Sequence, residues 1–148
     1  MICLVFTKTK LLAGVKLKKS ELLSVEGNPY IDYQGQPMAE ALKQHLPSIK
    51  KAYDSYVRRN GSQPGTAIPL AVAFPEEYTD ENGKRAEANE VLSVLHGQKE
   101  SFQLVHADHL GSAYLHSLVK DKEARKEPCI VLNALDDHLD LYYLNTNG

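Results

Sequence analysis

The segment Ala67–Phe74, AIPLAVAF, runs for eight residues without a polar side chain. A short apolar run of this kind, bounded by turn-forming sequence, is the signature of a strand buried on both faces, as in a parallel sheet. Pro69 has no N–H to give to a ladder, so it fits only near the beginning of such a strand. The next stretch, Pro75–Gly83 (PEEYTDENG), is a polar loop. From about Lys84, the residues Ala88, Val91, Leu92 and Leu95 follow the i, i+3, i+4, i+7 spacing of one helix face, and Gly97 closes it. Phe102–His106 then reads as another strand, giving strand, helix, strand.

Upstream, Ile2–Phe6 (ICLVF) is a second wholly apolar run and is expected to be a central strand. Residues 10–36 alternate weakly and are expected to be an irregular or hairpin insertion. Pro37 suits the first turn of a helix, and Met38, Leu42, Leu46, Ile49, Tyr53 and Tyr56 succeed one another at steps of three and four. Pro47 falls inside that stripe and is expected to kink or divide the helix. Asn60-Gly61 supplies its stop. Downstream, Asp108 is an expected N-cap for a helix to about Lys120. Cys129–Leu135 and Leu139–Leu144 are expected strands joined by a turn at Asp136-Asp137-His138, the last of them partly exposed. The expected fold is a single α/β domain over residues 1–148, three-layered, with a central mixed sheet that ends in a C-terminal β-hairpin.

Composition narrows the function classes. With 24% charged and 43% hydrophobic residues, the chain has the balance of a globular protein. The apolar run Ile68–Phe74 is far short of the roughly 20 residues that span a bilayer. The apolar residues directly after Met1 precede the lysines, inverting the order of a secretory signal, so a cytoplasmic location is expected. Cys3 and Cys129 lie in separate apolar runs and are expected to be buried thiols. The net charge of −2 hides a split: residues 1–60 hold 10 Lys/Arg against 5 Asp/Glu, and residues 61–148 hold 7 against 14.

The order of elements resembles the thioredoxin-like fold. The resemblance rests on the buried strand ending Phe74-Pro75, the loop and long helix after it, the strand ending HAD at Asp108, and the proline that opens EPCIVLNALDDHLDLYYL. It covers residues 66–146 and extends loosely over 1–60. Where that family carries its CxxC, this chain has Thr79-Asp80-Glu81-Asn82, and without a thiolate there is no dithiol exchange. The resemblance therefore implies a redox-inactive member, and such members serve mainly as binding modules.

Three of the six histidines crowd into His106–His116, HADHLGSAYLH. His109 and His116 share a helix face but stand seven residues apart, about 10.5 Å at ~1.5 Å per residue, too far for one zinc with Zn–N bonds of about 2.0–2.1 Å. His106, Asp108 and His109 remain as a candidate metal site at the carboxyl edge of the sheet, with the acidic residues Glu76, Glu77, Asp80 and Glu81 leaving the preceding strand at the same edge. Such a set would serve a metal-dependent hydrolase by activating water. Ser112 and His116 lack an orienting acid and an oxyanion hole. A nucleic-acid track through Lys8, Lys10, Lys16, Lys18 and Lys19, continued by Lys50, Lys51, Arg58 and Arg59 with Tyr53 and Tyr56 between, is weakened by a pI of about 6.3.

No catalytic constellation is complete and no cofactor is expected. The leading expectation is a non-catalytic protein-binding module, an inhibitor, adaptor or assembly factor. Two surfaces are its candidates: Tyr78, Thr79 and Asp80 beside Glu127 and Pro128, and the patch of Tyr53, Tyr56, Arg58 and Arg59, residue types favoured as interface anchors. The last strand is a further edge that a partner's sheet could extend.

Overall fold

The computed structural model describes residues 1–17, 20–75, 85–110, 129–134 and 139–144. It is a mixed α/β structure. Strand β1 (Ile2–Phe6) lies in the middle of a six-stranded sheet, antiparallel to β2 (Lys10–Lys16) on one side and parallel to β5 (Ile68–Phe74) on the other. Beyond β2 come β3 (Ser20–Leu22) and, at the other end of the same edge, β4 (Ile31–Asp32), while β6 (Phe102–His109) closes the far side parallel to β5. Residues 10–36 are thus hairpin in form and belong to the main sheet, contributing three of its strands. The pattern that places them there is period 2: Leu11, Ala13 and Val15 are buried and pair with the β1 residues across from them.

Alternation sends Ile2, Leu4 and Phe6 to the same side as Leu11, Ala13 and Val15, and as Ile68, Leu70, Val72 and Phe74. That side is covered by α1 (Met38–Arg59) and α2 (Arg85–Gly97), which pack against each other. From α1 come Met38, Leu42, Leu46, Ile49, Tyr53 and Val57, and from α2 Ala88, Val91 and Leu95. Leu42 and Ile49 are fully buried, each worth about 1.5–3 kcal/mol in area removed from water. Phe6 stacks on Phe74 with centroids 5.8 Å apart and meets Tyr33 edge-on at 6.0 Å. The opposite face of β1, Cys3 and Val5, is half-buried.

Helix α1 runs unbroken through Pro47, so of the two outcomes expected, a kink or a division, the division does not occur. The ring sits on the exposed side and leaves the C=O of Lys43 without its helical donor. The C-terminus is a Schellman turn: Gly61 at φ 75° lets Ser62 N–H reach Val57 O at 3.1 Å and Gly61 N–H reach Arg58 O at 3.0 Å. Pro69 is accommodated by its register. Ile68 donates to Ser101 O on the β6 side, so the proline nitrogen faces the β1 side, just before pairing with β1 begins at Ile2 opposite Leu70.

Two strand expectations change. Strand β6 continues to His109, so Asp108 is a strand residue and not an N-cap. The register steps from Leu70 opposite Leu104 to Ala71 opposite His106, making Val105 the extra residue of a bulge. Among the described residues, β7 (Cys129–Ala134) pairs only with β8 (Leu139–Leu144), as a two-stranded sheet of its own and not as a further strand of the six-stranded one. The helix expected over 108–120, which would form a third layer, lies outside the described residues beyond Leu110.

Candidate functional site

Beside its core stripe, α1 carries a second stripe of Ser48, Lys51, Ala52, Ser55, Tyr56 and Arg59, at the alternating steps of three and one that keep residues on one flank. This flank faces the stretch Glu21–Glu26, the end of β3 and the residues that follow it along the sheet edge. Between them lies a cleft of about 650 Å³, the larger of two described, whose floor and walls include Leu22, Leu23 and Ala52.

Two contacts set how the walls run. Ser48 Oγ donates to Glu26 Oε1 at 2.6 Å, and the Glu21 carboxylate lies close enough to the Tyr56 hydroxyl to act on its ionisation. Lower numbers on one wall meet higher numbers on the other, so the edge segment and the helix lie antiparallel along the cleft. Glu26 sits at φ 54° next to Gly27 at φ 87°, and Val25 and Asn28 exchange hydrogen bonds of 2.8 and 3.0 Å. These are the two positive φ angles of a type I′ turn, which suits glycine and strains Glu26 by about 1–2 kcal/mol. The bond to Ser48 helps hold that strained residue against the helix.

The electrostatics of the walls differ. Loss of water, followed by the charge and hydrogen bond of Glu21, pushes the Tyr56 hydroxyl above its ordinary pKa, with Arg59 acting in the opposite sense. Tyr56 is therefore a neutral hydrogen-bond donor at physiological pH. Arg59 Nε makes only a long contact, 3.4 Å, to Ser55 O. Among the described residues, neither Lys51 nor Arg59 forms an ion pair.

The edge strand adds main-chain groups. Leu23 N–H donates to Ala13 O at 2.8 Å. In the antiparallel ladder this turns the N–H and C=O of Leu22 the other way, toward the open edge. The cleft is thus bordered by a strand edge that can accept another strand.

Of the patch expected from sequence, Tyr56 and Arg59 line this cleft. Arg58 is exposed but does not line it. Tyr53 is 7% exposed and belongs to the core, because it continues the apolar stripe of α1 between Ile49 and Val57. Tyr78, Thr79, Asp80, Glu127 and Pro128 lie outside the described residues, as do Glu76, Glu77 and Glu81. The sequence missed Glu21 and Glu26; the Glu26-Gly27 pair ahead of Asn28 was the available signal of a tight turn.

The metal candidates are separated by strand geometry. Beyond the bulge, His106 and Asp108 share one face of β6, with His106 Nε2 3.4 Å from Asp108 Oδ2, while His109 projects from the other face beside Phe74. Among the described residues no three His, Cys, Asp or Glu gather into a metal-binding group. A smaller cleft of about 290 Å³ separates α1 from α2, but its lysines are matched, Lys43 with Glu40 at 2.6 Å and Lys50 with Asp54 at 2.9 Å. On the β7–β8 hairpin, Ile130, Leu141 and Tyr143 share one face and are each 62–63% exposed.

No protein-family model matches the chain, and no curated protein matches it. No helix among the described residues is long and apolar enough to cross a membrane.

Proposed function

We propose that this chain is a non-catalytic protein-binding module that seats an extended segment of its partner in the cleft between β3 and α1. The observation that carries the reading is the pairing of an unfilled strand edge at Leu22 with a facing wall that presents Tyr56, Lys51 and Arg59. Strand addition draws its affinity from main-chain hydrogen bonds and its selectivity from the side chains next to the edge. Tyrosine and arginine are the residue types that most often anchor such contacts. The exposed apolar residues Ile130, Leu141 and Tyr143 of β7–β8 support the same class of function.

The test is affinity capture from the cells that make the protein, using wild type, the double substitution Tyr56→Ala with Arg59→Glu, and His106→Ala. A partner retained by wild type and His106→Ala but lost by the double variant supports the module. Hydrogen exchange should then slow in residues 20–26 and 48–60 of the complex. A partner held equally by the double variant overturns the assignment of this cleft.

A further inference from the structure

Of the two acidic side chains of the cleft, Glu26 accepts a hydrogen bond from Ser48 and Glu21 lies beside the Tyr56 hydroxyl. Its two cations, Lys51 and Arg59, form no ion pair among the described residues. They stand eight residues apart on α1, about 12 Å at ~1.5 Å per residue. An extended chain covers nearly the same span in four residues, about 13 Å at ~3.3 Å each. Side chains one and five of such a segment point the same way as side chain three, which falls midway, over Ala52, Ser55 and the Tyr56 ring.

Resting on the reading above, we infer that the partner segment is an acidic extended peptide of the pattern acid, any, apolar, any, acid, with its carboxylates on Lys51 and Arg59 and its backbone on the Leu22 edge. Charge complementarity lies along the helix wall alone. The strand wall, with Glu21 and Glu26, repels a phosphodiester chain but tolerates a peptide, whose N–H groups can face it. That difference favours a peptide over a single-stranded nucleic acid, although both could engage two cations and a tyrosine.

The experiment measures fluorescence anisotropy of labelled seven-residue peptides added to the full chain. The sequence Thr-Glu-Thr-Val-Thr-Glu-Thr is compared with versions carrying Gln or Lys in place of both Glu, and a ten-residue oligothymidylate serves as competitor. Two exposed ion pairs amount to about tenfold in affinity, so the Glu peptide should bind about tenfold more tightly than the Gln peptide at low salt, with the gap closing as salt rises. The double substitution Lys51→Glu with Arg59→Glu should reverse the preference toward the Lys peptide, a gain of binding that an unfolded variant would not show. Equal binding of the Glu and Gln peptides overturns the acidic pattern, as does failure of the Glu peptide to bind or tighter binding of the oligonucleotide. The two failures separate by hydrogen exchange. If the Gln peptide binds equally and still protects residues 20–26, only the acidic preference falls. If no peptide protects that segment and the native partner ignores Tyr56→Ala, the cleft reading falls with it.

Discussion

Replacing Pro47 with alanine restores the one N–H that α1 lacks in its interior. The C=O of Lys43 then regains its donor, and the ring no longer crowds the preceding turn. A lower bound on the gain is the recovered hydrogen bond, about 0.5–1.5 kcal/mol. An upper bound is the difference between proline and alanine inside a helix, about 3 kcal/mol. The helix has already adjusted around the ring, and Pro47 is exposed, so little packing is lost. The expected stabilisation is about 2 kcal/mol, or a rise in Tm of about 4–8 °C for a chain of this length. Thermal melts followed by circular dichroism at 222 nm, with urea midpoints at unchanged slope, measure it. Pro69→Ala is the control: its nitrogen faces a position where pairing with β1 has not begun, so the change should stay within about 0.5 kcal/mol. If Pro47→Ala leaves Tm unchanged or lowers it, the ring's contacts outweigh the missing bond and the reasoning fails.

Gly14 lies in β2 with no positive φ, and a Cβ built there meets its nearest neighbour, Glu21 O, at an ordinary 3.6 Å. Gly14→Ala should therefore stabilise by about 0.5–1 kcal/mol through the unfolded chain, read as a higher urea midpoint; a lower midpoint would show that the strand cannot take a side chain there. Tyr56 has its folded pKa raised above the unfolded value near 10, so its contribution is complete below about pH 10 and is lost as pH rises through the folded pKa. Titration of tyrosinate absorbance in wild type and Tyr56→Phe should show one late-ionising hydroxyl missing from the variant. A hydroxyl that ionises at the ordinary pH would rule out the influence of burial and of Glu21 on Tyr56.

The unit from Ile68 to His109 is legible in the sequence because its two strands are continuous apolar runs and its helix keeps a clean 3.6-residue period. The same is true of α1, whose stripe from Met38 to Tyr53 is the helical face of the core. What was obscured is the antiparallel half of the sheet. Its alternation at Leu11, Ala13 and Val15 is interrupted by the apolar Leu12 and by Gly14, and β3 and β4 are too short to show a period at all. The cleft was hidden for a related reason. Tyr56 and Arg59 announce themselves by residue type, but the wall that faces them comes from Glu21–Glu26, some thirty residues earlier, and only strand pairing brings the two together. His106, Asp108 and His109 are adjacent in sequence and divided in space, since a strand sends neighbours to opposite sides.

The extra residue at Val105 acts as a parity switch. Phe102 and Leu104 point toward the helices, and continued alternation would send His106 and Asp108 after them, into the apolar space beside α2. One inserted position exchanges odd for even, so the polar pair emerges on the side of Ala71 and Ala73, and Ala107, opposite Val72 and itself exposed, takes the helix-facing side in its place. With Val105 present, the bulge is what keeps the polar pair on that side; deleting Val105 would remove the bulge and leave His106, Ala107 and Asp108 on the faces they hold now.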